Sequence, residues 1–166
     1  MKNKANFASI DFETANHSRV SICAAGLAVF EKGHLTESLY WLVRAPKKYG
    51  WLQKDFIECH GLTHLDVLDV PEFPSIAAEF LAQLTRADLV VAHNANFGVG
   101  HLCETLDFYD LACPEFDCFC TCQLARRVCP ELPDQASTPW RRTLVLSSTT
   151  ITHKLMPKPL GVCSWR

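Results

Sequence analysis

Phe7-Ala8-Ser9-Ile10-Asp11-Phe12-Glu13-Thr14 is the stretch on which the reading of this chain turns. Side-chain character alternates along it with period two, the pattern of a β-strand that buries one face. Asp11 and Glu13 stand two residues apart, so they project from the same face and set two carboxylates side by side. Such a pair on a strand often arises by chance and, standing alone, reads as a solvated strand end.

Outward from that strand, Ser21 to Phe30 is small and apolar, Glu31-Lys32-Gly33-His34 supplies turn chemistry, and Leu35 to Val43 alternates again. Three antiparallel strands are expected. A loop follows, holding Pro46 and the stretch Ile57-Glu58-Cys59-His60-Gly61-Leu62-Thr63. Pro74 and Ser75 then open a helix with apolar positions at Ile76, Phe80, Leu81 and Leu84. Leu89-Val90-Val91-Ala92 reads as a short buried strand, Phe97 to Phe108 as a helix, and Thr121 to Val128 as another that stops before Pro130. Strands first, then alternating helix and strand, imply an α/β fold with a mixed sheet.

The 166 residues are enough for one domain, and a composition 48% hydrophobic and 20% charged is that of a folded globular protein. A formal net charge of -2 gives no broad attraction to polyphosphate or anionic lipid, so any nucleic-acid contact must be local. No apolar run approaches the roughly 18 residues of a membrane span. Met1-Lys2-Asn3-Lys4-Ala5 leads into strand rather than signal-peptide sequence, so a cytoplasmic location is expected, with no membrane partner. The odd count of nine cysteines then argues for reduced thiols, and the Cys113, Cys118, Cys120, Cys122, Cys129 group lacks the spacing of a zinc ribbon.

Four motifs in order change the weight of the acidic pair: Asp11-Phe12-Glu13-Thr14, His60-Gly61-Leu62-Thr63, His93-Asn94-Ala95-Asn96-Phe97 at a strand-to-helix junction, and Cys120-Thr121-Cys122-Gln123-Leu124-Ala125-Arg126. From about Phe7 to Pro133 the chain resembles the DEDDh 3′-5′ exonucleases, the family of the proofreading epsilon subunit of bacterial DNA polymerase III. The resemblance implies a ribonuclease-H-like fold: three antiparallel strands, then parallel strands, flanked by helices. It also implies 3′-5′ hydrolysis at a DNA 3′ end with Mg2+ or Mn2+. In such a site two divalent ions about 4 Å apart activate water and stabilise the leaving oxygen. Hard oxygen ligands from a few converging acids suffice to hold them. Carried over, Asp11 and Glu13 are the catalytic and metal-binding pair, with Asp11 bridging both ions. Thr14, Leu62, Thr63, His93, Asn94 and Phe97 are the substrate-binding candidates, with Leu62 as a wedge against the terminal base and Phe97 as a stacking face. His93 and Phe97 also read as structural residues at such a junction. The implied partners are the 3′ end of single-stranded DNA or RNA and a DNA polymerase subunit.

The chain departs from the family pattern in two places. The acid expected directly after Phe97 is Gly98, and Glu104, almost two helical turns on, is not placed to replace it. Nor does any His followed five residues later by Asp occur downstream; His64 and Asp69 have that spacing but belong to an earlier loop. After Pro133 the text turns rich in Thr, Ser, Arg and Pro without helical periodicity. Read from the third base of each codon, with permitted synonymous choices, Ser137 to His153 can spell Asn-Thr-Val-Ala-Glu-Asp-Leu-Gly-Ile-Glu-Phe-Asn-His-His-Asn-Ala. Continuation through Pro159 permits Gln-Thr-Asp-Ala-Glu-Ala, which contains the missing motif. The expected organisation is an exonuclease-like domain over residues 1–133, its C-terminal part incomplete, and an aberrant, poorly ordered tail over 134–166. The expected activity is impaired. The competing expectation is a noncatalytic nucleic-acid-binding or polymerase-associated module.

Overall fold

The computed structural model describes residues 6–128. The chain builds one mixed sheet in the order β3-β2-β1-β4-β5. Strands β1 (Phe7–Thr14), β2 (Ile22–Glu31) and β3 (His34–Leu42) are antiparallel, while β4 (Leu89–Ala92) and β5 (Cys118–Cys120) run parallel to β1. The β2–β3 hairpin closes through Lys32 and Gly33, both at positive φ (51° and 76°), the geometry that a two-residue hairpin turn demands.

Period two in β1 divides the sheet's two faces. Ala8, Ile10 and Phe12 are buried in the core, whereas Asp11 is exposed on the opposite face with Glu13 half-buried beside it. Helices α3 (Pro74–Arg86) and α4 (Ala95–Phe108) contribute Ile76, Ala77, Phe80, Leu84, Leu102 and Leu106 to that core. Phe80 is its hub: its ring lies 5.6 Å from Phe12, 5.8 Å from Trp41 and 5.9 Å from Phe73. Burying a ring of this size is worth roughly 1.5–3 kcal/mol, so β1, and with it the acidic pair, is fixed from behind.

The expected mixed sheet is present, and three local readings change. The stretch read as loop around residues 57–63 contains helix α1 (Lys54–His60) and the short α2 (His64–Val67). Phe56, Cys59 and His60 are buried at the three- and four-residue spacing of one helical face. β5, three residues long, carries too little pattern to be seen in the sequence but adds an edge strand before α5 (Thr121–Val128). The thiols are not all reduced: Cys103 on α4 and Cys113 are joined by a disulfide, their Cα atoms 5.4 Å apart where the chain turns back after α4. Cys23, Cys118, Cys120 and Cys122 are free. The expected tail at 134–166 lies outside the described residues. Among the described residues no helix is long and apolar enough to cross a membrane.

Candidate active site

Asp11 and Glu13 stand on the open face of the central strand, opposite Gly26 and Ala24 of β2. Both β2 positions are small, so neither sends a long side chain of its own over the carboxylates. Beyond Glu13, β1 leads into a second, smaller core of Ala15, Cys23 and Val67, on which Leu52, Leu62 and Val70 pack. Burial, helped by the nearby Glu13 charge, pushes the Cys23 thiol far up, so it stays protonated.

The turn Gly61-Leu62-Thr63 is held to this end of β1 by His60, which is 2% exposed. The Leu62 N–H donates to His60 Nδ1 at 3.0 Å, and His60 Nε2 lies 3.2 Å from the Thr14 carbonyl. A carbonyl only accepts, so the proton sits on Nε2 and the ring is the neutral tautomer. Burial lowers its pKa, with the Thr14 hydrogen bond opposing the shift. Gly61 caps α1 at φ 76°, a left-handed turn that glycine enters without strain. Thr63 then caps α2: its N–H and hydroxyl both donate to Asp66 Oδ2, at 2.7 and 2.6 Å. Leu62 is half-buried on the small core, and Thr14 is 1% exposed with an enclosed, unbonded hydroxyl, so it faces inward.

The second motif follows β4. Asn94 adopts the left-handed conformation (φ 57°, ψ 64°) that asparagine tolerates better than most residues, and the chain swings into α4 there. His93 Nδ1 lies 3.0 Å from the Thr121 hydroxyl, tying this turn to the start of α5. Cys120 is gripped by the same junction through the Ala95 N–H at 3.4 Å. Burial opposes its thiolate, but backbone donors at the starts of α4 and α5 outweigh that and lower its pKa. Phe97 is half-buried with its ring 4.0 Å from that of His101, whose Nδ1 donates to the Phe97 carbonyl at 2.7 Å. Burial pulls the His101 pKa down, as it does for His60. A cleft of about 440 Å³ adjoins this turn, lined by Asn96, Cys118, Cys120 and Arg127 among others.

Gly98 is buried on the first turn of α4, where a Cβ would meet only Ala92 Cβ, at 3.7 Å, an ordinary contact. The backbone therefore has room for a Cβ at this position. Glu104 is committed elsewhere, 3.2 Å from Arg19. Among the described residues no three His, Cys, Asp or Glu side chains converge to hold a metal. The pair Asp11 and Glu13 alone fits a single, largely hydrated cation with hard-oxygen preference rather than a closed cage.

The sequence profile of the RNase T exonucleases matches residues 9–153. The chain belongs to the RNase T exonuclease family. The chain is 32% identical over 83 residues to the DNA polymerase III subunit epsilon of Buchnera aphidicola subsp. Baizongia pistaciae; the match takes in 48% of this chain and 34% of that relative, about a third of its length. Its fold is that of the DEDDh exonucleases. The nuclease domain of 3′hExo, a DEDDh family member bound to rAMP, superposes with a TM-score of 0.66 at 14% identity, over 98% of this chain and 86% of that one. Exonuclease X in complex with 5′ overhanging duplex DNA gives 0.59 at 22% identity, over 96% and 81%.

Three residues of this region have roles that the motifs alone do not show. His60 was visible inside its motif, but its bonding depends on a carbonyl 46 residues away. Asp66 had a signal, the Thr-x-x-Asp capping spacing. Tyr40 had none, because its relation to Asp11 exists only across paired strands.

Proposed function

We propose that this chain is a 3′-5′ exonuclease domain of the proofreading type whose catalytic apparatus is incomplete. The observation that carries the reading is the placement of Asp11 and Glu13 on the open face of the central strand, beside a turn locked to β1 by His60. Asp11 and Glu13 are the ligands for Mg2+ or Mn2+, which supplies charge stabilisation and an activated water in this type of chemistry. Leu62 and Thr63 on the locked turn, with Thr14 behind them, form one wall for the 3′-terminal nucleotide of a single-stranded DNA or RNA. His93, Asn94 and Phe97 at the start of α4 form the other. The replicative polymerase is the proposed partner and the cytoplasm the proposed location, on the strength of the epsilon relative.

Gly98 withholds one expected carboxylate, and the His and Asp expected downstream are absent from the sequence as written. Loss of a general base alone slows such reactions by about 100- to 10,000-fold. A frameshift near residues 134–137 accounts for the missing ending, and sequencing the gene tests it: a DNA sequence in which no single insertion or deletion restores His-x-x-x-x-Asp rejects it.

The deciding experiment is digestion of a labelled single strand in Mg2+ or Mn2+. The chain as written should bind the strand with little hydrolysis, and Gly98→Asp by itself should not restore turnover. Gly98→Asp joined to the reconstructed ending should restore it, and Asp11→Asn in that background should abolish it. Robust hydrolysis by the unaltered chain would reject impairment; restored hydrolysis that ignores Asp11→Asn would reject the site. Tight 3′-end binding with no hydrolysis in any version would favour a noncatalytic binding module, a reading that Gly98 also supports.

A further inference from the structure

Strand register places Tyr40 in the same cross-strand row as Asp11, with Gly26 between them; the next row holds Glu13, Ala24 and Leu42. Strands about 4.8 Å apart put the two backbones within the combined reach of a tyrosine and an acidic side chain. Gly26 leaves that row open, since even a Cβ there would have the Asp11 carbonyl at 3.7 Å as its nearest neighbour. The Tyr40 hydroxyl is enclosed and makes no hydrogen bond. Buried hydroxyls are almost always bonded, so one left without a partner on a functional face calls for an explanation. Burial first, then the nearby Glu13 charge, hold the phenol protonated and thus a donor. Asp66 Oδ2 already accepts twice from Thr63. Glu13 stands one row away on the same face of the sheet.

We infer that Tyr40 is a positioning residue for the acidic pair: its hydroxyl serves as the donor that fixes the Glu13 carboxylate when a divalent cation is held there. The inference rests on the metal-binding role proposed for Asp11 and Glu13. No proton leaves the phenol, and no bond is made or broken.

The test is calorimetric titration of the full chain with Mn2+, with thermal melting beside it. A hydrogen bond to a charged group is worth enough to shift affinity by about tenfold, so Tyr40→Phe should weaken Mn2+ binding by about that factor. The same variant should melt at the same temperature or higher, because it removes an unbonded buried hydroxyl and keeps the ring. Glu13→Gln should weaken Mn2+ binding further, and Tyr40→Phe added to Glu13→Gln should change nothing more. Unaltered Mn2+ affinity in Tyr40→Phe with a raised melting temperature would overturn the inference and leave the carboxylate reading standing. Absence of Mn2+ binding by the unaltered chain, or binding indifferent to Glu13→Gln, would overturn both.

Discussion

The end of β1 and the start of α4 carry two of the motifs and differ in what they offer. At the end of β1 the acids and their support are both present: Asp11 and Glu13 on the open face, His60 bracing the Gly61-Leu62-Thr63 turn, Phe80 packed behind Phe12. At the start of α4 the support persists without the acid. Asn94 makes a left-handed swing, His93 meets Thr121, the Ala95 N–H meets Cys120, and Gly98 stands where the proposed function expects a carboxylate. The contrast shows that the turn of the second motif is held by backbone geometry and contacts that involve no acid.

The sharpest way to break the comparison is to remove the brace of the intact region. His60→Ala leaves the Thr14 carbonyl and the Leu62 N–H buried without partners, and denaturant unfolding should show a loss of about 2–4 kcal/mol. A loss below about 0.5 kcal/mol would mean that the turn is held by its small apolar core instead.

Acid should strike both regions next. His60 and His101 are each held below the ordinary histidine pKa of 6.5 by burial. Between that value and their folded values the unfolded chain binds more protons, so stability there rises with pH. The contribution is complete above about pH 6.5 and is lost as pH falls through the folded values. Denaturation midpoints should fall from pH 7.5 to 5.5, roughly the window around the free histidine value, and the fall should be shallower in His101→Phe. A midpoint flat across that range would contradict the burial of both rings.

A smaller effect is expected from refilling the second motif. Gly98→Asp should fold with stability within about 1 kcal/mol of the parent, because its Cβ meets only Ala92 at ordinary distance and helix propensity improves slightly. A loss of several kcal/mol would show that the region had closed over the missing acid.

The least effect belongs to Gly100, one helical half-turn further on. A Cβ at this position runs into the guanidinium of Arg19, the movable end of a side chain that is half exposed in its pair with Glu104. Gly100→Ala should shift stability by no more than about 0.5 kcal/mol, the helix gain offsetting a weak surface pair. A larger loss in unfolding experiments would identify Arg19 as a structural clamp on α4.

Much of this was legible in the chain. Alternation in β1 and β2, the turn at Lys32-Gly33, and Pro74 at the start of α3 are local signals, and each sits where the pattern puts it. The motif order likewise led to the right family. Less legible was whatever depends on partners distant in sequence. Helix α1 is brief, and its buried face of Phe56, Cys59 and His60 means little until His60 is seen bonded to Thr14 of β1. The pairing of Cys103 with Cys113 depends on how the chain reverses after α4 rather than on cysteine count. Tyr40 reads as an ordinary strand aromatic until register sets it in the row of Asp11.

The vacant room at Gly98 also bears on how such a protein changes over generations. A glycine codon ending in a pyrimidine becomes an aspartate codon by one middle-base transition. The helix already accommodates a Cβ at that position without rebuilding its surroundings, so under the proposed function a change to aspartate would start from a backbone that admits its first side-chain carbon.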